Sequence, residues 1–304
     1  MPLTSLTNED RTIILSGLLE VVNSFHEQLL AKLPPSLPAP DQTHPPTKKT
    51  KLPLPTLVAL ILFRFFTGHR SWKDYYLHLK SYHRDDLGEL PTYKNFMRSV
   101  HNLTGYGLMF LEVLRKWCKQ GVEVQFADST KLEACKIKRE FSHQVAKGVA
   151  SKSKGTMGWW YGFKLHLVCD SLGRILAWRI TTAAFDDRKG LALIWEELTG
   201  LIVADAGYVG TNWQRAAADL GLRLMAAARK IMKKMMTKTQ HQLLIARQRV
   251  ETTYSVLKLR LGLETTLPRS VMGFLVHYIW CLLAYQLRRL SQLENRALLK
   301  RQSA

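Results

Sequence analysis

Three carboxylates are set apart by where they fall in the chain. Asp128 closes the alternating run Val122–Asp128, after Val124 and Phe126. Asp205 closes the short apolar run Leu201-Ile-Val-Ala-Asp205 and is followed by Ala206 and Gly207, a tight exit. Glu251 lies in the helical stretch Arg247-Gln-Arg-Val-Glu-Thr-Thr-Tyr-Ser-Val-Leu-Lys258. An acid at the end of an apolar strand is expensive to bury unless it is paired or binds a cation. Donors that are all oxygen suit hard cations, Mg²⁺ first and Mn²⁺ as a substitute. A few carboxylates leave coordination positions open for phosphate oxygens, as two-metal phosphoryl transfer requires. Arg247, Glu251 and Lys258 stand at i−4, i and i+7, so they share one helix face. Asp128, Asp205 and Glu251 are therefore the expected metal-binding and catalytic set.

The elements that must hold these acids are legible in the periodicity. Thr7 and Asp10 read as a helix start, and Ile14, Leu18, Val22 and Phe25 carry the helical spacing to about Lys32. Eight prolines between Pro34 and Pro55 forbid regular helix, and Lys48, Lys49 and Lys51 make the end of that stretch basic. Short helices follow at Leu57–Phe66, Trp72–Tyr82, Tyr93–Val100 and Met109–Cys118. At Gly121 the period changes to two. Strands are expected at Val122–Asp128, across a hairpin from Tyr161 to Thr182, at Leu201–Asp205 and at Leu222–Ala226. Helices are expected from Asp186 to about Thr199, at Thr211–Leu220 and at about Thr239–Leu261. Val271–Leu287 is apolar for about one membrane span, and it reads as a buried C-terminal helix. The expected fold class is α/β, a mixed sheet flanked by helices and preceded by an all-helical N-terminal region. The expected parts are an N-terminal helix (1–33), a Pro-rich basic linker (34–55), a helical DNA-binding or dimerisation region (56–120), a catalytic α/β domain (121–290) and a basic tail (291–304).

The charge points to the partner. Lys and Arg number 44 against 24 Asp and Glu, a formal net charge of +20, which favours a polyanion. Two segments concentrate it, Lys131–Lys164 and Arg229–Lys238. Lys233 and Lys234 in the second, Lys164 and His166 on one strand face, and Arg247 and Lys258 beside Glu251 are the expected DNA contacts. Trp159-Trp160-Tyr161 is either core or a stacking surface for an unpaired base. The Asp186–Asp187 pair before a helix reads as N-capping, and Asp170 as turn chemistry. Four scattered cysteines and ten histidines without metal-ligand spacing give no zinc site and no disulfide framework. The N-terminus has no basic run ahead of an apolar core, so no signal peptide is expected, and a reducing cytosol fits the cysteines.

The segments FADST, VADAGY and RVETTYSVLK resemble, in order and spacing, the three acidic motifs of DDE transposases with a ribonuclease H-like catalytic domain. YGFKLHLVCDSLGRILAWRITTAAFDD resembles the segment between the first two acids in bacterial insertion sequences. The spacing Arg247-x3-Glu251-x6-Lys258 is similar to the insertion-sequence-4 signature, with Leu244 where that signature has Tyr. ALILFRFFTGHRSWKDYYLHLK and LPTYKNFMRSV resemble the N-terminal region of the insertion-sequence-982 family. The resemblance covers about Leu57 to Leu287. It implies a cytoplasmic, nucleoid-associated recombinase that acts as a homodimer on double-stranded DNA, with no membrane partner. Such an enzyme binds terminal inverted repeats, cuts 3′ ends and joins them to target DNA, with Asp128, Asp205 and Glu251 on two metal ions. The alternatives are a structure-specific nuclease of the same fold and an inactive sequence-specific DNA-binding protein.

Overall fold

A computed structural model describes residues 7–32, 52–82, 89–155, 158–227 and 237–291. Most of the Pro-rich linker, Lys233, Lys234 and nearly all of the C-terminal tail lie outside the described residues. The chain divides into two units, Met1–Glu112 with Arg260–Gly262 and Met272–Ala304, and Val113–Leu259 with Leu263–Val271.

The first unit is helical. Helix α1 (Asn8–Lys32) starts as expected, because Thr7 Oγ1 accepts from the Asp10 N–H while the Asp10 carboxylate accepts from the Thr7 N–H. Helix α2 (Leu54–Thr67) begins inside the expected linker. Pro55 is tolerated in its first turn, where the missing N–H has no helical partner. Gly68 ends it at φ 77°, a left-handed cap. Helices α3 (Trp72–Tyr82), α4 (Tyr93–Asn102) and α5 (Thr104–Cys118) follow, and the unit boundary falls within α5. The long apolar helix α10 (Val271–Ser291) belongs to this unit and not to the α/β domain in which it was expected. The reason is local packing. Trp280 Nε1 donates to the Val100 carbonyl at 3.1 Å, and its ring lies over Gly107, where a Cβ would stand 2.8 Å from it. Among the described residues, Val271–Leu290 is the one helix long and apolar enough to cross a membrane, and 67% of its apolar window is buried.

The second unit is built on a six-stranded mixed sheet. Strand β1 (Val124–Cys135) pairs antiparallel with β3 (Gly158–Cys169), which forms the expected hairpin with β4 (Ile175–Thr182). β2 (Ser151–Gly155) pairs with the N-terminal part of β3. On its other edge β1 runs parallel to β5 (Leu201–Ala204), and β5 runs parallel to β6 (Arg223–Ala226). The order β4-β3-β1-β5-β6, with three antiparallel strands followed by two parallel ones, is the ribonuclease H-like arrangement the resemblance implies. Helices α6 (Asp187–Ala192) and α7 (Thr211–Asp219) make the connections around β5. Leu191, Ile194, Trp195, Ile202, Ala204 and Leu224 form a buried cluster with Ala127, Val168 and Ala177 from the sheet.

Four local expectations change: β2 forms where no strand was expected, and the helix expected to reach about Thr199 is α6 followed by a separate 3-10 turn at Trp195–Glu197. β1 does not end at Asp128 but continues to Cys135, because Leu132 and Ala134 keep pointing into the core while the ladder with β3 runs on. The single helix expected at Thr239–Leu261 is α8 (Lys238–Ala246), α9 (Gln248–Ser255) and a π-helical turn at Val256–Arg260. Apolar periodicity cannot register a break one residue wide at Arg247.

Candidate active site

The sheet brings the two aspartates together. Phe126 of β1 is in register with Val203 of the parallel strand β5. Two residues further on, Asp128 and Asp205 reach the same level on neighbouring strands and the same face, because side chains alternate with period two. Asp205 then leaves the sheet and caps the turn Ala206–Tyr208, its Oδ1 accepting from the Gly207 N–H at 2.9 Å.

Glu251 arrives from α9, and a tyrosine fixes that helix. The Tyr254 hydroxyl donates to the backbone carbonyl of Asp128 at 2.6 Å. Burial pushes this phenol well above its usual range, so it stays a donor. One guanidinium completes the constellation. Arg247 Nη1 lies 3.4 Å from Asp128 Oδ2, and Nη2 lies 2.7 Å from Glu251 Oε1. Burial raises the Asp128 carboxyl to about 6, against the pull of the Ser129 N–H and Arg247, and the nearby charges of Asp205 and Glu251 add to the rise. Burial is thus the main reason the Asp128 carboxyl resists ionisation, and the two neighbouring acids add to it.

A second cluster supports β1 from below. Ser129 Oγ donates to Asp187 Oδ1 at 2.6 Å, and Lys164 Nζ lies 3.0 Å from the same oxygen. Tyr208, in the turn after Asp205, is hydrogen-bonded to Ser129. His166 is 1% exposed, shares a 2.9 Å hydrogen bond with Thr181 Oγ1 and has Nδ1 4.0 Å from Asp187. Burial lowers its pKa to about 4, so the ring is neutral. Gly190 is required above it, since a Cβ there would lie 2.2 Å from the imidazole.

The described residues expected as DNA contacts have partners within the protein. His166 is buried and uncharged because α6 covers its strand face. The Lys164 ammonium is held by Asp187 and the Phe185 carbonyl, with the side chain 13% exposed. Lys258, in the π-helical turn, donates to the Lys131 carbonyl of β1 at 2.6 Å and pairs with Glu264. Arg247 is committed to the acids. Asp186 caps α6 as expected, accepting from the Arg188 and Lys189 N–H groups. Its neighbour Asp187 was not expected at the site, nor were Tyr208 and Tyr254. Their signal was faint but present, since both tyrosines lie inside the acidic motifs.

Among the described residues no three carboxylate, imidazole or thiol groups stand close enough to enclose a metal ion. The donor chemistry still fits a hard divalent cation. The acids are all-oxygen, they come from two strands and a helix, and Asp128 is buried beside the charges of Asp205 and Glu251.

The family described as "Transposase DDE domain" matches residues 118–271, about half of the chain and nearly the whole second unit. No curated protein sequence matches. Among solved structures, the cryo-EM structure of the piggyBac transposase synaptic complex with hairpin DNA aligns at a TM-score of 0.45 and 10% identity, covering 93% of this chain and 76% of that one. With its family match spanning β1 to α9 and all three acids, the chain belongs to the transposase DDE domain family.

Proposed function

We propose that the protein is the transposase of a bacterial insertion sequence, of the kind its motifs resemble in the insertion-sequence-982 family. It binds the terminal inverted repeats, cleaves at the 3′ ends and transfers them to target DNA. The observation that carries the reading is the Arg247 guanidinium joined to both Asp128 and Glu251, with Asp205 close enough to perturb Asp128. Arg247 links the acids of β1 and α9, and the Asp205 charge at the end of β5 is felt at Asp128, which supports a shared site on the sheet edge.

In this reading Asp128, Asp205 and Glu251 hold Mg²⁺, or Mn²⁺ in its place. The bound ions would activate a water or 3′-hydroxyl and stabilise the leaving oxygen of the phosphodiester. The chain's own residues do the rest. Tyr254 and Tyr208 fix α9 and the Asp205 turn against β1, so the acids are positioned before substrate arrives. Arg247 holds the Asp128 and Glu251 carboxylates in one arrangement. The protein acts in the cytoplasm on nucleoid DNA, as a homodimer when DNA is bound.

The test is a cleavage and joining assay on the DNA flanking the protein's own gene, with and without Mg²⁺ or Mn²⁺. Metal-dependent 3′ nicks at the repeat ends that vanish in Glu251→Gln support the reading. Tight binding without nicks in either metal supports the inactive DNA-binding protein instead.

A further inference from the structure

The Trp159-Trp160-Tyr161 cluster separates into two core residues and one exposed ring. Trp160 and Tyr161 are buried, and the Tyr161 hydroxyl donates to the Ala146 carbonyl. Trp159 is 54% exposed on the β2–β3 hairpin, and Phe141 nearby in sequence is 88% exposed. Cations stand over these rings. Lys152 Nζ is 5.3 Å from the Trp159 ring and 6.0 Å from the Phe141 ring, and Lys154 Nζ, directly across the ladder, is 5.9 Å from Trp159. The surrounding segment 136–155 holds Lys136, Lys138, Arg139, Lys147, Lys152 and Lys154 against one acid, Glu140, which pairs with Lys152. An exposed indole flanked by ammonium groups suits a ligand with a flat π-face and phosphates on either side. Bases inside a duplex already stack on one another, so the ring is suited to one that has left the stack.

The hairpin is distant from the acids. Asp128 pairs with Leu167 on β3, and Trp159 is eight residues earlier on that strand. At about 3.3 Å per residue the separation along the strand is about 26 Å. That is roughly seven to eight nucleotides at about 3.4 Å each, too far for the base at the cut itself.

We propose that the β2–β3 hairpin is a second nucleic-acid contact, on which an unpaired nucleobase stacks against Trp159 while Lys152 and Lys154 meet the adjoining phosphates. The contact lies several nucleotides from the cleavage point and rests on the reading of the chain as a DNA transposase.

Metal-free full-length protein is titrated, by fluorescence anisotropy, into a labelled oligo(dT) strand and into a mixed-sequence duplex of equal length. Trp159→Ala weakens oligo(dT) binding roughly five-fold or more, while the duplex changes by less than about two-fold. Trp159→Phe restores most of the loss, since it keeps an aromatic face. Lys154→Gln lowers the single-strand salt slope by about 0.7. The proposal is overturned if Trp159→Ala binds oligo(dT) as wild type does, or if it loses equal affinity for both DNAs. Circular dichroism confirms that the variants are folded. A wild type that shows the Trp159 effect but never nicks DNA leaves the hairpin contact standing and removes the transposase reading. A wild type that nicks DNA while Trp159→Ala keeps full oligo(dT) affinity does the reverse.

Discussion

The burial of the Asp128 carboxyl has a measurable consequence, because an ionised carboxylate held largely out of water works against folding. Its pKa rises from 3.8 to about 6, first through burial and then through Asp205 and Glu251. The side chain is 21% exposed, so solvent screens part of the effect. At about 1.36 kcal/mol per unit, the ionised group costs the folded state at most about 3 kcal/mol. The sign follows from linkage. Between pH 3.8 and about 6 the folded state binds more protons than the unfolded one, so stability falls as pH rises through that window. Above it the whole penalty is present, and below it there is none. Asp128→Asn removes the charge, keeps an oxygen for the Ser129 N–H and leaves Arg247 paired with Glu251. Thermal unfolding in a chelator, followed by circular dichroism, should show the variant more stable near pH 8. The limit is about 6–12 °C, at roughly 2–4 °C per kcal/mol for a unit of this size. The gap should close near pH 4. Titration of His166 occurs in both proteins and cancels in the difference. Adding Mg²⁺ should stabilise the wild type alone and narrow the gap, by binding only the folded state. A variant no more stable than the wild type at high pH, or a gap that persists in acid, would refute the reasoning.

Other expectations follow from single contacts. Tyr254→Phe deletes the hydroxyl on the Asp128 carbonyl and should cost about 1–3 kcal/mol in urea unfolding, with slower nicking because Glu251 loses its anchor; full nicking activity would sever that link. Gly190→Ala forces a methyl into the His166 ring and should destabilise by about 1–3 kcal/mol, and combining it with His166→Ala should cost less than the sum of the two. Below the ordinary histidine range, stability should fall as pH drops from 6.5 toward about 4, because the buried His166 ring resists protonation; His166→Gln should flatten that acid limb in the same unfolding assay. Affinity for duplex DNA should fall with salt at a log–log slope near −0.9 per neutralised phosphate, and a flat titration would remove the electrostatic account of binding.

The α/β class and, apart from β2, the strand and helix order were readable from the sequence, because each depends on local pattern. A two-residue alternation makes a strand, an apolar run between turns makes a buried one, and an ionisable group at its edge stands out. The net charge was equally plain, but its use was not. Lys164, His166 and Lys258 look like phosphate contacts in one dimension, and the fold turns them inward against Asp187, Thr181 and the Lys131 carbonyl. The opposite happened at Trp159, which reads as core beside Trp160 and is left outside by strand alternation at the end of the sheet. Asp187 was hidden by its neighbour, since capping of α6 needs one carboxylate and the sequence offers two. Which of the pair reaches Ser129 is settled by the position of α6 over β1 and β3. Local periodicity thus determined which elements form and which residues carry charge. Only tertiary structure decided which charges meet, because the contacts between β1 and α9 join residues more than a hundred positions apart, and no local pattern records that distance.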